Sequence, residues 1–163
     1  MSKTISIEWD EGRFGVRTVG VMLDAKNRVL LYHLDGDDFW VFPGGGITPF
    51  SETSKQAIKR NFVEKAGFEI EVHRLLWILE LNFVDKGKMV HGIGFYFLVS
   101  PKEAHGFWGQ DEFVGHKDLH RNRARVFKWF DISELKEANL HPTNFRELLK
   151  NIPEHTVHVV HND

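Results

Sequence analysis

The feature that most constrains this chain is a glycine run leading into an amphipathic helix. Phe39-Trp40-Val41-Phe42 reads as a short strand, and Pro43-Gly44-Gly45-Gly46 follows it directly. Such a run breaks regular structure and lets the backbone come close to a ligand. A helix is then expected from about Glu52 to Ala66, with Ser51 as its N-cap. Ile58 and Phe62 fall on one apolar face of it, and Gly67 suits the left-handed position that ends a helix. Strand, glycine turn and helix thus follow one another within about thirty residues.

The remaining segments supply a sheet. Val19, Val21 and Leu23 alternate as a strand, Asp24-Ala25-Lys26-Asn27 carries turn chemistry, and Val29-Leu30-Leu31-Tyr32 returns. Ile70–Val84 and Met89–Ser100 read as two long strands joined through Asp85-Lys86-Gly87-Lys88. Gly92 and Gly94 within the second suggest a bulge or a close backbone approach. Residues 101–124 read as a polar loop, and Val126–Phe130 as a last strand. Short helices are expected at Asp131–Leu135 and Pro142–Leu149, and the histidines at 155, 158 and 161 as an ordinary tail. This order predicts a mixed sheet flanked by helices. With no repeat, low-complexity stretch or linker, residues 1–163 are expected to form one domain.

Composition removes several classes of function. The absence of cysteine excludes thiol nucleophiles, zinc-thiolate sites and disulfides. No apolar run approaches the roughly 20 residues of a membrane helix, and Met1-Ser2-Lys3-Thr4 lacks an apolar signal core. A cytoplasmic protein without a membrane partner is the expectation. The net charge of −2 gives no global attraction to nucleic acid. Lys117, Arg121, Arg123, Arg125 and Lys128 form a local basic run, but apart from Phe127 no aromatic residue falls within it, so a solvated face is expected.

The segment from Gly46 to Phe68 carries a resemblance. Five residues separate Gly46 from Glu52, and seven more separate Glu52 from Arg60-Asn61-Phe62-Val63-Glu64-Lys65-Ala66-Gly67-Phe68. This resembles the Nudix box, G-x5-E-x7-R-E-U-x-E-E-x-G-U, where U is bulky and apolar. With each residue type at about 5–7% usage, chance matches of this quality are expected in fewer than roughly one chain in a hundred. The resemblance implies an α/β Nudix fold, an α/β/α sandwich around a mixed β-sheet. It also implies hydrolysis of the diphosphate bond of nucleoside diphosphate derivatives, with Mg²⁺ or Mn²⁺ as cofactor. In that pattern Glu64 and the Gly45 carbonyl would hold metal. Glu52 and Arg60 would orient the site through a salt bridge. A late loop would add a further acid, for which Asp111 and Glu112 are the candidates. Arg17 and Trp40, with Gly44, Gly45 and Gly46, would meet a small nucleotide-type ligand, and many members form homodimers.

Two positions depart from the pattern. Asn61 and Lys65 stand where the family has glutamate. Positions 61, 64 and 65 share a helix face. Three glutamates there would give −3, whereas Asn61, Glu64 and Lys65 sum to 0 − 1 + 1 = 0. Hard divalent ions seek dense oxygen ligands, and an amide cannot accept a proton from water. Loss of a general base costs about 10²–10⁴ in rate. Two readings follow: a Nudix hydrolase of weak or absent activity, or a catalytically inactive nucleotide- or phosphometabolite-binding module. Further candidates are Phe14 and Trp108 as stacking rings, Glu80 and Glu103 as replacement acids, and His116 with His120 as a metal pair.

Overall fold

The computed structural model describes residues 3–103 and 109–163; Trp108 lies outside them. Two sheets form. The larger contains β1 (Ser6–Glu8), β2 (Gly12–Met22), β4 (Gly44–Gly46), β5 (Ile70–Asp85), β6 (Lys88–Pro101) and β9 (Val157–Asn162). Its order is β1-β2-β6-β5-β9, with β4 also paired to β2. The smaller holds β3 (Arg28–Leu34), β8 (Arg125–Asp131) and β7 (Glu112–Val114), in the order β3-β8-β7. β2 runs parallel to β6 and β9 parallel to β5, while β5 and β6 are antiparallel, so the large sheet is mixed as expected.

Among the described residues two α-helices complete the fold, α1 (Ser54–Ala66) and the short α2 (Phe145–Leu148), with a single 3-10 turn at Ile132–Glu134 where a short helix was expected. The buried side chains fall into two clusters. Ile58, Phe62 and Ala66 of α1 pack with Met22, Phe97 and Val99 of the large sheet and with Leu30, Phe127 and Trp129 of the small one. Phe145 and Leu149 at the other end of the chain pack with Val19, Val21, Leu79 and Tyr96. Because successive strand residues point to opposite faces, β2 and β6 present one set to each helix. β3 shows the same division: Val29 and Leu31 join one cluster and Leu30 the other. That explains the unbroken apolar run at 29–31, since both faces are buried.

Several boundaries differ from expectation. The helix starts two residues late because Thr53, not Ser51, is the N-cap, and a capping box with Gln56 satisfies both backbone donors. Glu52 is drawn instead into the preceding loop, where it accepts the Thr48 N–H at 2.7 Å. Gly67 ends the helix at φ 88°, as its sequence position predicts. The glycine run does not break structure. Gly44–Gly46 is itself a strand on β2, whereas Phe39–Phe42 makes only isolated bridges at Trp40 and Val41. Gly92 and Gly94 sit in an unbroken register with β2, and the irregularities fall on β5 near His73 and Leu76. The 155–161 segment is no free tail, since Val157–Asn162 extends the sheet as β9. The turn at Lys86-Gly87 has both residues at positive φ, as a tight hairpin requires. Pro142 precedes α2 through a cis peptide bond and stands outside it.

The basic run folds inward on itself. Arg121 and Arg125 bind Asp118, and Arg123 binds Asp37 and two backbone carbonyls. No helix among the described residues is long and apolar enough to cross a membrane.

Candidate functional site

The box residues assemble around the short strand β4. β4 lies so close to β2 that a Cβ on Gly44 would sit 2.3 Å from the Thr18 carbonyl oxygen. One on Gly45 would sit 2.3 Å from Asn61 Oδ1 and 2.8 Å from Lys65 Nζ. Glycine is therefore required by two approaches from different directions, β2 on one side and the polar ends of α1 on the other. Thr18 Oγ1 donates to the Ser54 carbonyl at 3.0 Å and ties β2 to the start of the helix.

Arg60 is the hub of the retained charges. Its Nε donates to Glu52 Oε2 at 2.9 Å and one terminal nitrogen to Glu52 Oε1 at 2.6 Å, a bidentate pair. The same nitrogen reaches the Gly46 carbonyl at 3.1 Å, and the other donates to Glu64 Oε2 at 3.0 Å. The Arg60 hydrogen bonds hold the Glu52 carboxyl down at about 2, against a smaller opposing effect of burial, and the Thr48 N–H lowers it further. Glu52 raises the Arg60 guanidinium in turn. Glu52 is thus consumed in positioning. Glu64 is the acid that remains open on this face, with 56% of its side chain exposed.

The two departures from the family pattern are both anchored. Asn61 is buried and its Nδ2 donates to the Ala57 carbonyl at 2.9 Å, with the Gly46 carbonyl at 3.5 Å. Lys65 Nζ donates to the Gly44 carbonyl. Burial is the largest cause pulling the Lys65 ammonium down, to about 7; Arg17, Arg125 and Arg60 follow, and Glu64 opposes them. The helix's polar ends thus go to the carbonyls of Gly44 and Gly46, on either side of Gly45. His116 closes the far end, its backbone N–H and its ring contacting the Lys65 and Glu64 carbonyls. It stands in a loop and not on a helix with His120.

The late acids stand elsewhere. Asp111 Oδ1 accepts from Arg28 at 2.6 Å with 83% of its side chain exposed, and Glu112 lies opposite Lys128 on β7. Glu80 contacts His91 and His158. Among the described residues no three histidine, aspartate or glutamate side chains come together as a metal site. An ammonium on the Gly44 carbonyl and a buried amide beside it do not fit a divalent ion, whose oxygen ligands must be anionic or free.

A cleft of about 520 Å³ opens on the sheet face away from α1. Arg13, Gly15, Arg17 and Val19 line it from β2, Val90, Gly92, Gly94 and Tyr96 from β6, and Leu79, Leu81 and Phe83 from β5. These residues pair side by side across the strands. Gly15 and Gly92 therefore leave bare backbone in the floor, the Tyr96 ring lies over Gly94, and apolar walls rise around them with Arg17 beside Gly46 at one end. Tyr96 is buried, which pushes its phenol up. Trp40 does not line this cleft: its ring stacks on His33 at 4.0 Å and meets Phe130 edge-on. Phe14 points to the opposite sheet face, against His91. The sequence pointed to Gly92, Gly94 and Arg17 but missed Gly15, Leu79, Leu81 and Phe83. Their alternation is visible only once β2, β6 and β5 are known to be neighbours.

Such a box on such a helix, before a mixed two-faced sheet, defines a known class. Residues 13–151 match the NUDIX domain, and the chain belongs to that family. Solved structures share the fold. An ADP-ribose pyrophosphatase from Streptococcus suis superposes with a TM-score of 0.59 at 15% identity, covering 90% of this chain and 98% of that one. A UDP-X diphosphatase gives 0.63 at 18% identity, covering 89% of this chain and 66% of that one. A MutT protein from Bacillus halodurans gives 0.58 at 22% identity, covering 88% and 89%. No curated protein matches in sequence.

Proposed function

We propose that this chain is a nucleotide-binding member of the Nudix family, in which hydrolysis by the family's metal-dependent route is weak or absent. One observation carries the reading: the side chains at 61 and 65 end as an amide and an ammonium on the Gly46 and Gly44 carbonyls, where the family places carboxylates. The ligand class follows from the cleft and from the neighbours. Apolar walls, the Tyr96 ring and the open backbone at Gly15 and Gly92 suit a planar base, and Arg17 beside the glycine strand suits a phosphate. The structural neighbours named above act on ADP-ribose and UDP derivatives by their names. β1 near the start and β9 near the end join one sheet, which supports residues 1–163 as one domain.

The enzyme reading retains one support, the exposed Glu64 with Arg60 behind it. The deciding experiment incubates the protein with nucleoside triphosphates, sugar nucleotides, ADP-ribose and dinucleotides, with Mg²⁺ and Mn²⁺ separately, and follows substrate loss and nucleotide products by chromatography. The Asn61→Glu/Lys65→Glu variant runs alongside. A silent wild type and an active double variant is the expected result. Metal-dependent turnover by wild type that collapses on Glu64→Gln overturns the proposal.

A further inference from the structure

The floor of the cleft has a recess that packing does not account for. Gly15 on β2 and Gly92 on β6 are register partners, and both line the cleft. At the other glycines of these two strands, Gly12, Gly20 and Gly94, a Cβ would stand 2.1, 2.5 and 2.8 Å from its nearest neighbour, so glycine is required. At Gly15 and Gly92 the nearest atoms would be 3.6 and 3.8 Å away, an ordinary contact, and neither residue has a positive φ. Glycine inside a strand costs stability relative to alanine, and here nothing in the fold asks for it. A strand glycine of this kind marks a place where a ligand comes close to the backbone.

A second observation stands at the rim of the recess. Tyr96 is 5% exposed and lines the cleft, yet its hydroxyl has no hydrogen-bond partner among the described residues. Buried phenol O–H groups ordinarily find one. The ring is fixed by stacking on Phe145 at 4.5 Å and by Phe42 edge-on at 5.7 Å. It lies over Gly94, with Cε2 2.8 Å and Cζ 3.7 Å from where a Cβ would stand, which brings the hydroxyl end beside Arg17, the register partner of Gly94. Arg13 and Arg17 flank Gly15 on one face of β2, and both are exposed and line the cleft. Arg17 has no ion pair among the described residues. Arg13 has a 3.8 Å pair with Asp85 between half-exposed side chains, which holds it weakly.

We propose that the Gly15–Gly92 recess seats a nucleoside diphosphate, with the Tyr96 hydroxyl, Arg17 and Arg13 holding its two phosphates and its ring lying flat on Gly92 between Val90 and Leu81. The inference rests on the nucleotide-binding reading above and deepens it. A phosphate accepts from a phenol and a guanidinium at once, and such charge-assisted bonds are the strong ones. Arg13 lies on the far side of Gly15, and a residue without a side chain keeps neither arginine off a group placed between them. Val90 stands two residues before Gly92 on the same face of β6, and Leu81 is the partner of Gly92 on β5, so the ring has apolar walls on two sides. The opposite wall of the cleft carries Asp163, which repels an anion. The phosphates therefore face β2 and the ring faces β5.

The test is calorimetric titration of the full chain with ADP, UDP, AMP and UMP in buffer containing Mg²⁺. Wild type is compared with Tyr96→Phe, Gly92→Ala and Arg13→Gln, each also followed by thermal unfolding. Phenylalanine keeps the ring packing and deletes a hydroxyl that has no partner, alanine fits at position 92, and Arg13 is exposed, so none of the three should melt below wild type. Wild type should bind the diphosphate of at least one base more tightly than its monophosphate. Arg13→Gln should lose about tenfold for the diphosphate and little for the monophosphate, and Tyr96→Phe about tenfold for both. Gly92→Ala should weaken both alike, because its methyl lifts the ring off the backbone. If any of the three binds the diphosphate as tightly as wild type, or loses binding only together with a lowered melting temperature, the recess is not the ligand's seat, and the nucleotide-binding reading stands without it. If wild type binds none of the four nucleotides, that reading falls and the recess assignment with it.

Discussion

Replacing Lys65 by methionine should stabilise the protein in a way that depends on pH. The ammonium's ordinary value of 10.5 is pulled down to about 7 in the folded chain, chiefly by burial. The unfolded chain therefore holds this proton up to about 10.5, and the folded chain releases it near 7. Below about pH 7 both states are protonated and the folded state bears the full cost of the half-buried charge. Between about 7 and 10.5 the unfolded state binds more protons, so wild-type stability rises with pH. At ~1.4 kcal/mol per pH unit, the interval corresponds to at most ~5 kcal/mol, reduced where solvent still reaches the amine. Methionine removes that cost but leaves the Gly44 carbonyl without its donor, a loss of about 1–3 kcal/mol. Lys65→Met is expected to be more stable than wild type by about 2–4 kcal/mol in mildly acidic buffer, with the advantage shrinking steadily as pH rises. Urea unfolding of both proteins at several pH values measures this, and the other titrating groups cancel in the difference. If the two stability curves run parallel from neutral to alkaline pH, the Lys65 ammonium is not half-buried and charged as described, and the reasoning fails.

Glu52→Gln should destabilise by about 2–3 kcal/mol above pH 4.5, because the carboxyl is held at about 2 by Arg60 and the Thr48 N–H. The wild-type advantage should be lost as pH falls from 4.5 through about 2, which acid titration followed by circular dichroism would show. Gly20→Ala places a methyl 2.5 Å from the Phe62 ring under α1, so thermal unfolding should report a loss of about 1–3 kcal/mol from overpacking. Gly45→Ala would drive the Asn61 and Lys65 side chains off β4; ADP titration should show weakened binding, with the melting temperature lowered as well. Ending the chain at residue 156 removes β9 and bares the long β5 edge, so light scattering should show aggregation on concentration.

How much was legible in the sequence varies by element, with a physical pattern to the variation. The spacing from Gly46 to Phe68 fixed a loop, a helix and the position of its last turn, because capping, glycine at positive φ and apolar periodicity act within a few residues. The β5–β6 hairpin was legible for the same reason, its Lys86-Gly87 turn being local. The charge count on 61, 64 and 65 was also a local fact of helix geometry. What the sequence left open lies at long separation. Nothing near residue 157 announces that it pairs beside Trp77, nor near Asp111 that its carboxylate goes to Arg28, 83 residues away. Trp40 could equally have faced a ligand until His33 and Phe130 were placed against it.

The sequence by itself determined that the family's carboxylate face had been neutralised. Only the tertiary structure decided what the replacements do, because the Gly44 carbonyl that takes the Lys65 amine is 21 residues distant and is brought there by the pairing of β4 with β2. A charge can be counted along a chain, whereas its partner and the dielectric around it exist only after the strands and the helix have closed over it.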